Sequence, residues 1–89
     1  MKISIEEIKE EIKKFISNNF PIPEEKMLNN PRLVNDLGFN DMDCSVICNY
    51  FEEKYDIVLN NGKSSGYNIY TLESLAKNIV EEVEAYHNS

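Results

Sequence analysis

The sequence predicts an all-α protein, a helical bundle of three main helices with a long first loop and room for a short fourth helix. Two observations carry this expectation. Apolar residues recur at helical spacing in three separate stretches, and each stretch opens on a residue suited to cap a helix. The one run that reads as a strand, Ile57-Val58-Leu59, has no second run to pair with, and a lone strand is not stable.

The first helix is expected from about Ser4 to Asn18. Ile5, Ile8, Ile12, Phe15 and Ile16 form its apolar stripe, and Ser4 with Glu7 three residues on has the pattern of a capping box. Pro21 and Pro23 then stop the helix. A long connection follows, and its apolar members Ile22, Met27, Leu28, Leu33, Val34 and Leu37 are expected to pack over the core, with Gly38 supplying a turn.

The second helix is expected to start at Asn40 or Asp41, with Asn40 as N-cap and Asp43 completing the cap. Met42, Ser45, Cys48, Phe51 and Tyr55 share one face at helical spacing, with Ile47 beside it. The segment NNGKSSGYN is turn-rich and reads as a mobile loop with space for one helical turn. Thr71 caps the last helix, whose stripe is Leu72, Leu75, Ala76, Ile79, Val83 and Tyr86. Ile8, Ile12, Phe15, Phe51, Leu75 and Ile79 are expected to meet in one core.

With 89 residues, residues 1–89 are expected to form a single small domain. Hydrophobic residues make up 42% and charged residues 28%, too apolar a balance for disorder. A net charge of −7 argues against nucleic acid or an anionic membrane as partner, since both call for basic patches. Basic protein surfaces suit it better, and a monomer is expected. No apolar run approaches the roughly 20 residues of a membrane span. The acid-rich opening MKISIEEIKEEIKKF fits neither a signal nor a transit peptide.

Cys44 and Cys48 lie one helical turn apart, a poor geometry for a disulfide, so two free thiols in a cytoplasmic setting are expected. His87 is the only histidine, which leaves a Cys/His metal site short of ligands, and no metal is expected. No base, nucleophile and oxyanion donors converge, so catalysis by the chain is not expected.

From Asp36 to Asp56 the chain reads DLGFNDMDCSVICNYFEEKYD. This resembles the acyl carrier protein family around its modification site: Asp-Leu-Gly, two variable residues, Ser, a hydrophobic residue, Asp, then a helix ending in acidic and aromatic residues. Upstream, EEKMLNNPRLVNDLG resembles the family's long first loop, and downstream IYTLESLAKNIV resembles the start of its last helix. The resemblance covers nearly the whole chain and implies an acyl-carrier-protein-like bundle. It implies a serine carrying 4′-phosphopantetheine, whose thiol holds acyl chains during fatty-acid or polyketide synthesis. It also implies partners with basic docking patches, such as acyl-processing enzymes or a phosphopantetheinyl transferase, that grip the acidic second helix.

Asp41 stands where the family has its serine. A carboxylate is a weak nucleophile, already charged, and would approach an anionic pyrophosphate against like charge. Its product would be a mixed anhydride that water hydrolyses. No phosphopantetheine is therefore expected on this chain. Two readings of Asp41 stay open: a helix-start residue left where chemistry was abandoned, or a fixed negative charge that imitates the arm's phosphodiester. Ser45, one turn on, is expected to face inward, and Ser64 and Ser65 lie outside any matching motif.

The expected partner-binding residues are Asp36, Asp41, Met42, Asp43, Val46, Glu52, Glu53 and Asp56, of which Asp36, Asp43, Glu52, Glu53 and Asp56 match the acidic habit of the family. Val46 and Lys54 fall where carriers commonly place carboxylates, and an exposed Val46 near Met42 and Cys44 would form a small apolar docking spot. The leading expectation is a carrier-like binding module that is not modified. The alternatives are an ordinary carrier whose serine was mutated to Asp41, and a small acidic inhibitor or immunity-type protein.

Overall fold

The computed structural model of the protein describes residues 3–87. Among these residues there are four α-helices, α1 (Ile5–Asn19), α2 (Asp41–Tyr55), α3 (Asn60–Ser65) and α4 (Leu72–His87), with 3₁₀ turns at Glu24–Met27 and Tyr67–Ile69. Among the described residues there is no strand, only one isolated bridge between Arg32 and Thr71. The all-α expectation holds in this form, with the fourth helix present.

α1 begins where its local chemistry directs. Glu7 N–H donates to Ser4 Oγ at 3.1 Å and the Glu7 carboxylate accepts from Ser4 N–H, closing the capping box. Ile8, Ile12 and Ile16 are fully buried, and α1 packs chiefly against α4. α2 runs antiparallel to α1, because residues later in one meet residues earlier in the other. Tyr50 stacks on Phe15 at 4.4 Å between ring centroids, while Lys54 pairs with Glu11.

The long crossover packs as expected at Met27, Leu33 and Leu37, joined by Phe39, all buried. Leu28 is the exception: it is 56% exposed. The next two residues, Asn29 and Asn30, adopt positive φ, a conformation asparagine tolerates. The chain reverses there, which leaves Leu28 on the outside. Gly38 has φ +74° with open space around it, so its backbone conformation is what calls for glycine.

The crossover then completes the start of α4. Leu72 N–H donates to Pro31 O at 2.9 Å, Glu73 N–H to Asn30 Oδ1 at 2.8 Å, and Ser74 N–H to Thr71 Oγ1 at 3.0 Å. The amide donors that a helix start leaves unpaired are thus satisfied, two of them by residues some forty positions earlier.

One core joins Ile8, Ile12, Phe51, Leu75 and Ile79, as expected. Phe15 departs from the expectation and lies at the core's edge, half-buried against Tyr50 and Phe51. Tyr86 is 53% exposed and belongs to no stripe; Val83 is the last buried residue of α4. The buried stripe of α2 is Cys44, Ile47, Cys48 and Phe51. Met42, expected on that face, is instead 75% exposed, since it sits two positions before Cys44 and so on the opposite side.

The segment read as a mobile loop is folded as α3. This helix has no side-chain cap of its own. Glu52 of α2 and Tyr70 ahead of α4 stand in: Leu59 N–H donates to Glu52 Oε2 at 2.8 Å, and Gly62 N–H to Tyr70 Oη at 3.2 Å.

Candidate functional site

The face that carries the predicted site residues is built from the first turn of α2 outward. Asp43 N–H donates to Asn40 Oδ1 at 2.8 Å and Asn40 N–H to Asp43 Oδ2 at 3.2 Å, a reciprocal cap that fixes where the helix begins. Asp41 is therefore the first helical residue. It is exposed, and among the described residues no hydrogen bond or ion pair engages its carboxylate. Its charge lies at the positive end of the helix dipole, an arrangement worth about 0.3–1 kcal/mol. Asp43, by contrast, is committed to the cap.

Met42, Val46 and Tyr50 follow on successive turns, 75%, 46% and 40% exposed. They form an apolar strip along α2 that ends at Tyr50, whose ring also stacks on Phe15 of α1, and Tyr50 is the member that sequence reasoning missed. The expected docking spot around Val46 needs one correction. Cys44 is fully buried and takes no part in it. At the far end of α2, Glu53 and Asp56 are exposed beside an open depression they share with Asn49 and Val58. Asp56 closes the helix in the left-handed region, φ 55°, its N–H bonded to Glu52 O.

Besides Asp43, two more of the expected docking carboxylates are engaged within the fold. Asp36 grips Arg32 in a fork, with Nη2–Oδ1 and Nε–Oδ2 both at 3.0 Å, and also accepts Arg32 N–H at 2.7 Å. Those hydrogen bonds hold the Asp36 carboxyl below its ordinary pKa. Glu52 is 13% exposed at its side chain and accepts from Leu59 N–H and from Lys63 Nζ, both at 2.8 Å. It anchors α3 rather than facing a partner. Its sequence signature was a carboxylate in an acidic run, and nothing local distinguished it from Glu53.

Lys54, which interrupts the acidic series, is likewise held internally by Glu11. Ser45 is half-buried and not turned fully inward, while Ser64 Oγ donates to its own helix at Asn60 O, 3.0 Å. Cys44 and Cys48 are free thiols in the core. Burial, with the nearby Asp41 and Asp43 charges, pushes Cys44 up to about 11. Burial pushes Cys48 up to about 12, with Cys44 and Glu52 adding to it.

The arrangement offers no nucleophile at the helix start. It offers a lone carboxylate, a short apolar strip and a second acidic end about 20 Å away along the helix. No protein-family model matches the chain, and neither a curated protein nor a solved structure matches it. No helix among the described residues is long and apolar enough to cross a membrane.

Proposed function

We propose that the protein is an acyl-carrier-protein-like binding module that is not phosphopantetheinylated and presents the outer side of α2 to basic partners. The observation that carries the reading is Asp41. It is exposed at the first position of α2, inside the DLGFNDMD motif, where the family resemblance places the modified serine. The element order supports it further: helix, long crossover, acidic helix, short helix, last helix. Asp41, Glu53 and Asp56 supply the charge for docking, and Met42, Val46 and Tyr50 supply apolar contact. The role is non-catalytic, with partners in the acyl-processing class or a phosphopantetheinyl transferase.

The test uses coenzyme A and a broad-specificity phosphopantetheinyl transferase, read by intact mass. The unaltered chain gains nothing, and Asp41→Ser acquires the arm without loss of fold, since either residue suits a helix start. Arm attachment to the unaltered chain, at Ser45 or at Ser64 or Ser65, would replace this reading with that of a working carrier. Failure of Asp41→Ser to be modified would remove the carrier resemblance as a guide to partners.

A further inference from the structure

The dipeptide Asn61-Gly62 lies in α3, with Asn61 exposed and Gly62 buried. An asparagine followed by glycine is open to attack by the next backbone nitrogen on its own side chain, because glycine has no Cβ to hinder the approach. Gly62 N attacks Asn61 Cγ, the side-chain nitrogen leaves as ammonia, and a five-membered succinimide closes. Water then opens the ring at either carbonyl to give aspartate or isoaspartate. The balance is one amide and one water consumed for one carboxylate and one ammonium formed.

In the folded chain that nitrogen is engaged. Gly62 N–H donates to Tyr70 Oη at 3.2 Å, and Tyr70 Oη itself donates to the buried Asn78 Oδ1, so the acceptor is held in place. A Cβ at Gly62 would lie 2.6–2.8 Å from the rings of Tyr67 and Tyr70, so this peptide group is pressed against both. Helical dihedrals also fix the rotation that would bring Gly62 N onto Asn61 Cγ.

The protection is conditional on docking. A six-residue helix without a cap of its own does not persist in water. Its polar anchors are Tyr70 on Gly62 and Glu52 on Leu59 and Lys63. Short segments held by few contacts open at far lower free energy than the whole domain.

We propose that Asn61-Gly62 is a conformation-gated modification site: docked α3 protects it, and undocking opens Asn61 to conversion into the acid. Aspartate makes the surface one charge more negative. Isoaspartate routes the main chain through the side chain and lengthens it by a methylene group, so Gly62 no longer meets Tyr70 in register. A reversible opening is thereby converted into a permanent one.

The experiment incubates the full chain at neutral pH and body temperature and maps the product by peptide mass spectrometry with isoaspartate quantitation. The arms are the unaltered chain, Tyr70→Phe, Glu52→Gln, and Ile12→Val as a core control, with the unaltered chain in concentrated urea as the unfolded reference. Expected is slow conversion at Asn61 in the native chain and the fastest conversion in urea. Tyr70→Phe should accelerate it about three- to tenfold, the change for one net hydrogen bond. Glu52→Gln should accelerate it too, although it touches neither residue of the pair, and it decides the matter alone if Tyr70→Phe does not fold. Equal rates in buffer and urea overturn the proposal. So does acceleration in Ile12→Val as large as in the α3 variants, or conversion at other asparagines before Asn61.

Discussion

The hydroxyl of Tyr55 donates to Glu11 Oε2 at 2.6 Å, tying the last turn of α2 to the middle of α1. Lys54, the residue before it, bonds the other oxygen of the same carboxylate. Burial alone would raise the Glu11 pKa; these two hydrogen bonds and the Lys54 charge outweigh it, and the pKa falls below its ordinary value near 4.5.

A depressed carboxylate contributes stability that is present above its unfolded pKa and lost as pH falls through its folded one. The chain should therefore lose stability on acidification below about pH 4.5, read as a falling urea midpoint. Glu11→Gln should show a shallower loss over that window. The same slope in both proteins would mean that the pair carries no net weight.

Glu52 and Glu53 are neighbours in sequence with opposite duties. Replacing Glu52 with alanine strands Leu59 N–H and releases Lys63, which should cost about 1–3 kcal/mol. Glu53→Ala should stay within about 0.5 kcal/mol, as surface changes do. Hydrogen exchange at the Leu59 amide should rise in the first variant only; protection that survives Glu52→Ala would show that the carboxylate is not the anchor.

The two cysteines should resist alkylation at neutral pH in the folded chain. Burial keeps both from ionising, pushing them up to about 11 and 12, and the thiolate is the reactive form. Under denaturant both should react together. Rapid labelling of Cys44 without unfolding would place the start of α2 in an open state.

Much of this architecture was legible because helix ends are written locally. Ser4 with Glu7, Asn40 with Asp43, and Thr71 announce their helices within four residues, and each made the bonds its pattern implies. α3 was not legible. Asn, Gly and Ser are weak helix formers, and the groups that satisfy its first amides lie at Glu52 and Tyr70, outside any local window. The inner face of α2 was misjudged at Met42 because Cys44 and Cys48 are small, which leaves the stripe faint. At the candidate site, the position of Asp41 could be read from its motif. The Arg32–Asp36 pair is local, four residues apart, and its spacing went unread; the engagement of Glu52 could not be read, because Lys63 reaches it only once α3 has folded.

The way α4 begins bears on how the chain reaches this state. Its first turn borrows Pro31 O and Asn30 Oδ1, the latter across a separation of 43 residues. Closing so large a loop costs entropy before any contact rewards it. Nucleation of α4 is thus coupled to arrival of the crossover, and neither can run far ahead of the other on the folding path. Substitutions at Asn30 and at Thr71 should slow refolding by similar fractions of their effect on stability, whereas changes in the first turn of α1, which caps itself, should chiefly alter the unfolding rate.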